Sequence, residues 1–126
     1  MEPLIAIVDD DKAVRDAVRR MLKSYGFTAS VFASAEQFLG SDERNRVSCL
    51  ILDVSMPGMT GMALHRHLIS QGCRIPTILV TARATDGGQK QAIASGVVAY
   101  LAKPFSEQIL LDTVREALEC GRRAAK

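Results

Sequence analysis

Acidic, hydroxyl and basic side chains stand directly after short apolar runs of this 126-residue chain. Asp9 and Asp10 follow the first run and Asp53 follows the third. Thr81 and Lys103 follow the last two runs. If these runs are parallel strands, their carboxyl ends meet at one edge of the sheet, where open α/β sheets bind ligands. We therefore expect three carboxylates, one hydroxyl and one ammonium group to share a crevice.

The composition of this predicted crevice favours a divalent cation and a phosphoryl group. Crowded carboxylates repel one another unless a cation is present, and a donor set of oxygen atoms alone suits Mg²⁺ (or Mn²⁺). A carboxylate can also attack phosphorus and form an aspartyl phosphate, whose charge a metal, a lysine and a hydroxyl stabilise. On this chemistry Asp53 is the candidate nucleophile and Asp10 a candidate metal ligand. Lys103 and Thr81 are candidate partners of the phosphoryl oxygens.

The elements that must position these residues alternate between strand and helix. Apolar runs predict strands at residues 4–8, 27–32, 49–52, 77–80 and 97–102. Apolar residues at steps of three and four predict a helix after each strand, and the expected first caps are Asp11, Ser34, Thr60, Asp86 and Ser106. Five such strand–helix units predict an α/β fold with a doubly wound parallel sheet and helices on both faces.

Four segments of the sequence resemble the signature motifs of response-regulator receiver domains, the CheY-like phosphoacceptor modules of bacterial two-component signalling. They are IVDDD at residues 7–11, LDVSMPGMTG at 52–61, VTA at 80–82 and YLAKPF at 100–105. The four occur in order, each at a predicted strand end, and the resemblance covers residues 4 to about 118. It implies a flavodoxin-like (βα)5 fold with five helices and strand order 2-1-3-4-5.

The resemblance also implies how the acidic residues divide their roles. Asp53 would be the phosphorylated residue. Asp10, Asp53 and the backbone carbonyl of Ser55 would bind Mg²⁺ directly, while Asp9 would act through a bound water. Lys103 would assist catalysis, and the Lys103-Pro104 peptide bond is often cis in this family.

A signalling role rather than an enzymatic one follows from the same resemblance. A histidine kinase or a histidine phosphotransfer protein would donate the phosphoryl group. Thr81 and Tyr100 would form a switch pair that changes the face built by the fourth helix, fifth strand and fifth helix. An output domain, a partner protein or a second copy in a phosphorylation-linked homodimer would bind that face. The domain alone is expected to bind neither nucleic acid nor membrane.

Two other functions fit parts of this pattern. A metal-dependent phosphatase also uses an aspartyl nucleophile, but such phosphatases resemble an Asp-x-Asp pattern, and Ser55 stands where the second Asp would be. A flavodoxin-like cofactor binder needs a hydroxyl-rich phosphate loop after the first strand. The acidic run at residues 9–11 would repel a phosphate there unless a metal intervened.

Composition and charge exclude several classes of protein. The chain is 48% hydrophobic and 24% charged, which is ordinary for a globular domain, and its net charge of +2 is too small to argue for nucleic acid. No apolar run approaches the ~20 residues of a membrane span. Three widely spaced cysteines and the absence of a secretory signal favour the cytoplasm. We expect the domain to cover residues 1–120, with residues 121–126 as a tail or the start of a linker.

Further expectations concern two histidines, the buried side of the last helix and a pair of glycines. His65 and His67 lie two positions apart on a predicted helix and are expected to be solvated. Ile109 is expected on the buried side of the last helix, together with Leu110, Val114 and Leu118. The pair Gly87-Gly88 is expected to make the start of the fourth helix flexible.

Overall fold

Five parallel strands form one sheet in the computed structural model, which describes residues 3–124. The strands are β1 (Leu4–Val8), β2 (Thr28–Phe32), β3 (Val47–Asp53), β4 (Thr77–Thr81) and β5 (Ala99–Ala102). Their order across the sheet is β2-β1-β3-β4-β5, and each neighbouring pair is parallel. The predicted α/β class and strand order are confirmed.

An α-helix follows each strand along the chain. The helices are α1 (Lys12–Ser24), α2 (Ala35–Leu39), α3 (Gly61–Ser70), α4 (Asp86–Ala94) and α5 (Glu107–Ala124). A short 3-10 helix at Asp42–Asn45, which the sequence pattern did not predict, precedes β3. No helix within residues 3–124 is both long and apolar enough to cross a lipid bilayer.

Capping side chains define where most helices begin. Asp11, Ser34 and Thr60 accept hydrogen bonds from backbone N–H groups of the first turns of α1, α2 and α3, as predicted. The prediction of Asp86 as the cap of α4 is wrong. Thr85 is the cap, because its hydroxyl accepts from the Gly88 N–H at 2.9 Å, whereas Asp86 already lies inside the first turn.

Two hydrophobic layers cover the two faces of the sheet. Alternate residues of a strand point to opposite faces, so Ala6 and Val8 of β1 pack with α2, α3 and α4, while Ile5 and Ile7 pack with α1 and α5. All five residues of β1 and of β4 are buried. Burial on both faces explains why these strands are continuous apolar runs rather than alternating ones.

Several local expectations differ from the structure. Ile109 is 52% exposed, because the buried side of α5 is rotated to include Leu110, Leu111, Val114 and Ala117. His65 is buried rather than solvated, and its Nε2 lies 2.9 Å from the carbonyl oxygen of Ser95 at the end of α4. β5 begins at Ala99 rather than at residue 97.

The helix α5 continues beyond the predicted end of the domain. It runs to Ala124, so residues 121–124 of the expected tail or linker are helical. Gly121 lies against the ring of Pro76, since a β-carbon there would meet Pro76 Cγ at 3.1 Å. Residues 125 and 126 of the expected tail lie outside the described residues, and the domain boundary at residue 120 stays a prediction.

Candidate functional site

Three carboxylates meet at the carboxyl ends of β1 and β3, which are neighbours in the sheet. Asp9, Asp10 and Asp53 each offer an oxygen atom, and these atoms lie within 4.8 Å of one another. Asp9 and Asp53 are buried and Asp10 is exposed. We call these three residues the acid cluster. The sequence placed them at strand ends, and the adjacency of β1 and β3 brings them together.

Lys103 reaches the acid cluster from the end of β5. Its Nζ is 2.9 Å from Asp9 Oδ2 and 3.6 Å from Asp53 Oδ1. The peptide bond between Lys103 and Pro104 is cis. Burial by itself would lower the pKa of Lys103, but the hydrogen bond and charge of Asp9, joined by the charge of Asp53, outweigh burial and raise that pKa. Lys103 is therefore a fixed cation at neutral pH.

Asp53 is held in an unfavourable electrostatic position. Burial, and next the charge of Asp9, raise the pKa of Asp53 to about 6, although Lys103 and a hydrogen bond from the Ser55 N–H oppose this shift. One lysine thus neutralises only part of the negative charge of the acid cluster. Additional positive charge at this position would be favourable.

The acid cluster fits a hard divalent cation. All of its donors are carboxylate oxygens, which suit Mg²⁺ or Mn²⁺ better than Zn²⁺. Among the described residues it is the one group of three or more histidine, cysteine or acidic side chains close enough to share an ion. Ser55, whose carbonyl is a predicted ligand, is exposed and stands two residues after Asp53 in the loop that follows β3.

Asp9 has the most complete set of partners in the site. Its Oδ1 accepts from the Asp11 N–H at 2.9 Å, and its Oδ2 contacts Lys103. The Arg15 guanidinium donates to the Asp9 backbone carbonyl at 2.8 Å. Arg15 was missed from the sequence, although its position four residues after the Asp11 cap directs it back towards the end of β1.

Thr81 and Tyr100 lie on the same face of the sheet. β4 and β5 pair with Leu79 opposite Tyr100, and Thr81 stands two residues beyond Leu79. The Thr81 hydroxyl accepts from the Arg83 N–H at 3.1 Å. The Tyr100 hydroxyl accepts from the Thr85 N–H at 3.4 Å, beside the first turn of α4. The predicted pair is therefore on one face, with Thr81 at the carboxyl end of β4 and Tyr100 against α4.

Glu36 supports the loop that carries Ser55. Its Oε2 accepts from the Met59 N–H at 3.1 Å and so connects the first turn of α2 to the segment between β3 and α3. Sequence reasoning missed this contact. Its two residues are 23 positions apart and belong to no motif, so no local pattern could have indicated it.

Comparison with known proteins agrees with this geometry. A family model of the response regulator receiver domain matches residues 5–115. The response regulator protein TodT of Pseudomonas putida is 39% identical over 116 residues, which cover 92% of this chain and 51% of TodT. This chain therefore spans about half the length of that relative.

Solved structures of response regulators share the whole fold. The response regulator StyR has 36% sequence identity and a TM-score of 0.90, over 99% of this chain and 64% of the StyR chain. The BeF₃-activated receiver domain of DrrB has 30% identity and a TM-score of 0.84, over 94% of this chain and 99% of that one. Sequence motifs, sheet order, acid cluster and relatives agree, and the chain belongs to the family of response regulator receiver domains, the signalling domains of two-component systems.

Proposed function

We propose that this receiver domain accepts a phosphoryl group on Asp53 from the phosphohistidine of a histidine kinase or a histidine phosphotransfer protein. The observation that carries the proposal is the position of the Asp53 carboxylate, at the end of the central strand and 3.6 Å from Lys103 Nζ. Membership in the receiver-domain family supports a phosphohistidine as the donor. In the transfer, an Asp53 oxygen bonds to phosphorus while the bond from phosphorus to the donor nitrogen breaks and its electron pair stays on that nitrogen.

The surrounding side chains are suited to the charge that develops on the transferred group. Lys103 provides an ammonium group beside the nucleophile. The Thr81 hydroxyl accepts from the Arg83 N–H, so its own proton remains available to donate to a phosphoryl oxygen. Both groups belong to strand ends, which hold them in place before the donor arrives.

The predicted ligands of Mg²⁺ (or Mn²⁺) are Asp10, Asp53 and the Ser55 carbonyl. A bound ion would neutralise the acid cluster and the charge of the incoming phosphoryl group. Both oxygens of Asp9 already have protein partners, the Asp11 N–H and Lys103. This supports an indirect role for Asp9, through a bound water.

Thr81 and Tyr100 are the proposed switch that carries the signal to a partner. Their common face of the sheet is covered by α4, whose first turn the Tyr100 hydroxyl contacts. Ile93 of α4 and Ile109 of α5 are 50% and 52% exposed, and such apolar side chains suit an output domain, a partner protein or a second copy of the chain. The face formed by α4, β5 and α5 is therefore the proposed output surface.

The phosphatase alternative is less well supported. It requires an acid two residues after the nucleophile, where this chain has the exposed Ser55. A receiver domain takes up one phosphoryl group and keeps it for a time, whereas a phosphatase consumes many donor molecules. Uptake of one phosphoryl group per chain from a small donor therefore indicates a receiver domain, whereas continuous turnover of the donor indicates a phosphatase.

Acetyl phosphate with Mg²⁺, followed by intact mass measurement, tests the proposed function. We expect the wild type to gain the mass of one phosphoryl group, and EDTA to prevent the gain. Asp53→Asn should gain nothing, because it lacks the nucleophile, and Asp10→Ala should bind Mg²⁺ more weakly. Asp11→Asn is the matched control, since it keeps a good cap and lies outside the acid cluster. Phosphorylation of Asp53→Asn at the wild-type rate would contradict the assignment.

A further inference from the structure

Two consecutive glycines in the first turn of α4 have different surroundings. A β-carbon built on Gly87 meets nothing within 4 Å among the described atoms. A β-carbon on Gly88 would lie 2.7 Å from the Tyr100 hydroxyl oxygen, 3.4 Å from Tyr100 Cζ and 2.9 Å from Thr85 Oγ1. The space that an ordinary side chain would fill at position 88 is therefore occupied by the Tyr100 hydroxyl.

The backbone gives no other reason for glycine at position 88. Gly88 does not have a positive φ, and it lies in a helix, where alanine is favoured over glycine. A distance of 2.7 Å is shorter than a van der Waals contact between carbon and oxygen. A side chain at position 88 would therefore require a neighbouring group to move.

Tyr100 is the neighbour that can move most easily. Thr85 Oγ1 is fixed by its capping hydrogen bond from the Gly88 N–H at 2.9 Å. The Tyr100 hydroxyl is the far end of a half-buried side chain and is held by one long hydrogen bond, 3.4 Å from the Thr85 N–H. The contact between Tyr100, Thr85 and Gly88, here called the Tyr100–α4 contact, therefore depends on the missing side chain at position 88.

We propose that Gly88 is the positioning residue that lets Tyr100 rest against α4, and that alanine at position 88 displaces the Tyr100 hydroxyl in the unphosphorylated protein. The steric part stands without phosphorylation. The consequence for signalling rests on the proposed function. If phosphorylation moves Tyr100 away from α4, then Gly88→Ala removes part of the resting arrangement and favours the phosphorylated one.

The steric part is tested without metal or phosphate. The chain has two tyrosines, so Tyr25→Phe leaves Tyr100 as the one tyrosine for labelling with 3-fluorotyrosine and ¹⁹F NMR. In that background we expect Gly88→Ala to shift the Tyr100 resonance and Gly87→Ala, the matched control, to leave it in place. An unshifted resonance in Gly88→Ala would overturn the proposal.

Thermal unfolding tests whether Tyr100 is the group that clashes. We expect a lower unfolding midpoint for Gly88→Ala than for Gly87→Ala, and we expect Tyr100→Phe to reduce that difference by removing the crowded hydroxyl. If Gly88→Ala does not fold, the double variant with Tyr100→Phe should fold. The role given to Tyr100 would be overturned if the difference between the unfolding midpoints of Gly88→Ala and Gly87→Ala stays the same in the Tyr100→Phe background. It would also be overturned if the double variant fails to fold.

Titration with BeF₃⁻ and Mg²⁺, as a mimic of the phosphoryl group, tests the consequence for signalling. We expect BeF₃⁻ to move the wild-type Tyr100 resonance, and Gly88→Ala to saturate at a lower BeF₃⁻ concentration than Gly87→Ala. If BeF₃⁻ moves the wild-type resonance but Gly88→Ala and Gly87→Ala saturate at the same BeF₃⁻ concentration, the link between Gly88 and the switch is overturned. A wild-type resonance that BeF₃⁻ leaves in place would count against the proposed function of Tyr100 instead, and the metal-free comparison would still decide the role of Gly88.

Discussion

At the residue scale, the site combines one fully paired carboxylate with one that is poorly neutralised. Asp9 is buried, but Lys103 and the Asp11 N–H satisfy its oxygens. Asp53 is also buried, lies farther from Lys103, and has a pKa of about 6. A carboxylate held in this way, the proposed nucleophile, gains stabilisation when positive charge or a phosphoryl group with its counterion arrives. The same arrangement makes the metal-free protein less stable than it would be without the Asp53 charge.

Asp53→Asn should therefore stabilise the metal-free protein above pH 6. In the unfolded chain the pKa of Asp53 is near 3.8, and in the folded protein it is about 6, so the folded state binds more protons between these values. Its stability then falls as pH rises through this window and levels off above it. We expect Asp53→Asn to lack this fall, with an advantage on the order of 2 kcal/mol at pH 7. Urea unfolding in EDTA from pH 4 to 7 measures the free energy of unfolding of both proteins. If that free energy depends on pH in the same way for both, the prediction is wrong.

Lys103→Met should slow phosphoryl uptake without removing the proposed metal ligands. Methionine keeps an unbranched stem but provides no charge for the phosphoryl oxygens, so we expect the rate with acetyl phosphate to fall by about 10²–10³. Mg²⁺ affinity should be equal or higher, because the ammonium group that repels the ion is gone. Intact mass kinetics and calorimetric Mg²⁺ titration measure the two effects. Lys90→Met, at an exposed lysine of α4, is the control. A rate close to that of the control would contradict the role of Lys103.

At the element scale, α3 and α4 are capped in the same way but bury very different numbers of side chains in the core. Thr60 and Thr85 each accept a hydrogen bond from the N–H three residues later. α3 buries Leu64, His65 and Leu68, whereas Ala92 is the buried residue of α4. The two glycines of α4 weaken it further. Its C-terminal end is attached through Ser95 to His65. Such a helix can change its position at little cost to the rest of the fold.

Removing the two caps should therefore have different consequences. Loss of a threonine cap typically costs about 1 kcal/mol. We expect Thr60→Ala to lower the free energy of global unfolding by this amount, because α3 is part of the core. Thr85→Ala should instead speed amide exchange within Asp86–Ala94 and change global unfolding less. Hydrogen exchange with mass spectrometry and urea unfolding of both variants measure this. Equal global losses for the two variants would show that α4 is not a separate, weaker unit.

At the scale of the whole molecule, the two faces of the sheet differ because the two proposed switch residues lie on one of them. Thr81 and Tyr100 lie on the face covered by α4, while α1 and α5 cover the other face. α1 is amphipathic, well capped and attached to the site through Arg15. On the proposed switch, we therefore expect a change at Asp53 to move α4 and β5 while α1 stays in place.

Binding of BeF₃⁻ with Mg²⁺ should accordingly change amide exchange most within residues 82–105. We expect little change in residues 15–23 of α1, because the proposed switch residues lie on the opposite face of the sheet from α1. Hydrogen exchange with and without BeF₃⁻ measures the distribution, and Asp53→Asn under the same conditions is the control. A largest change in α1 would exclude the face formed by α4, β5 and α5 as the output surface.

The sequence by itself determined the order of the five strands and five α-helices, the α/β class, and four side chains that meet at the site, Asp9, Asp10, Asp53 and Lys103. Local patterns carry this information, because a buried strand must be a continuous apolar run and a helix start needs a capping side chain. Parallel strands also place their last residues at one edge, so Asp9, Asp53 and Lys103 could be assigned to one site before any contact was known. The strand order followed from the resemblance of four motifs rather than from periodicity.

The tertiary structure alone decided several contacts and orientations of side chains in distant elements. It placed His65 against Ser95, rotated Ile109 of α5 towards solvent, and connected Glu36 to Met59. It also filled the space beside Gly88 with the Tyr100 hydroxyl, where the sequence suggested only a flexible helix start. The physical reason is common to these cases. Periodicity tells which side of an element is apolar, whereas a contact between distant residues depends on how the elements pack, and single-sequence patterns do not encode that geometry.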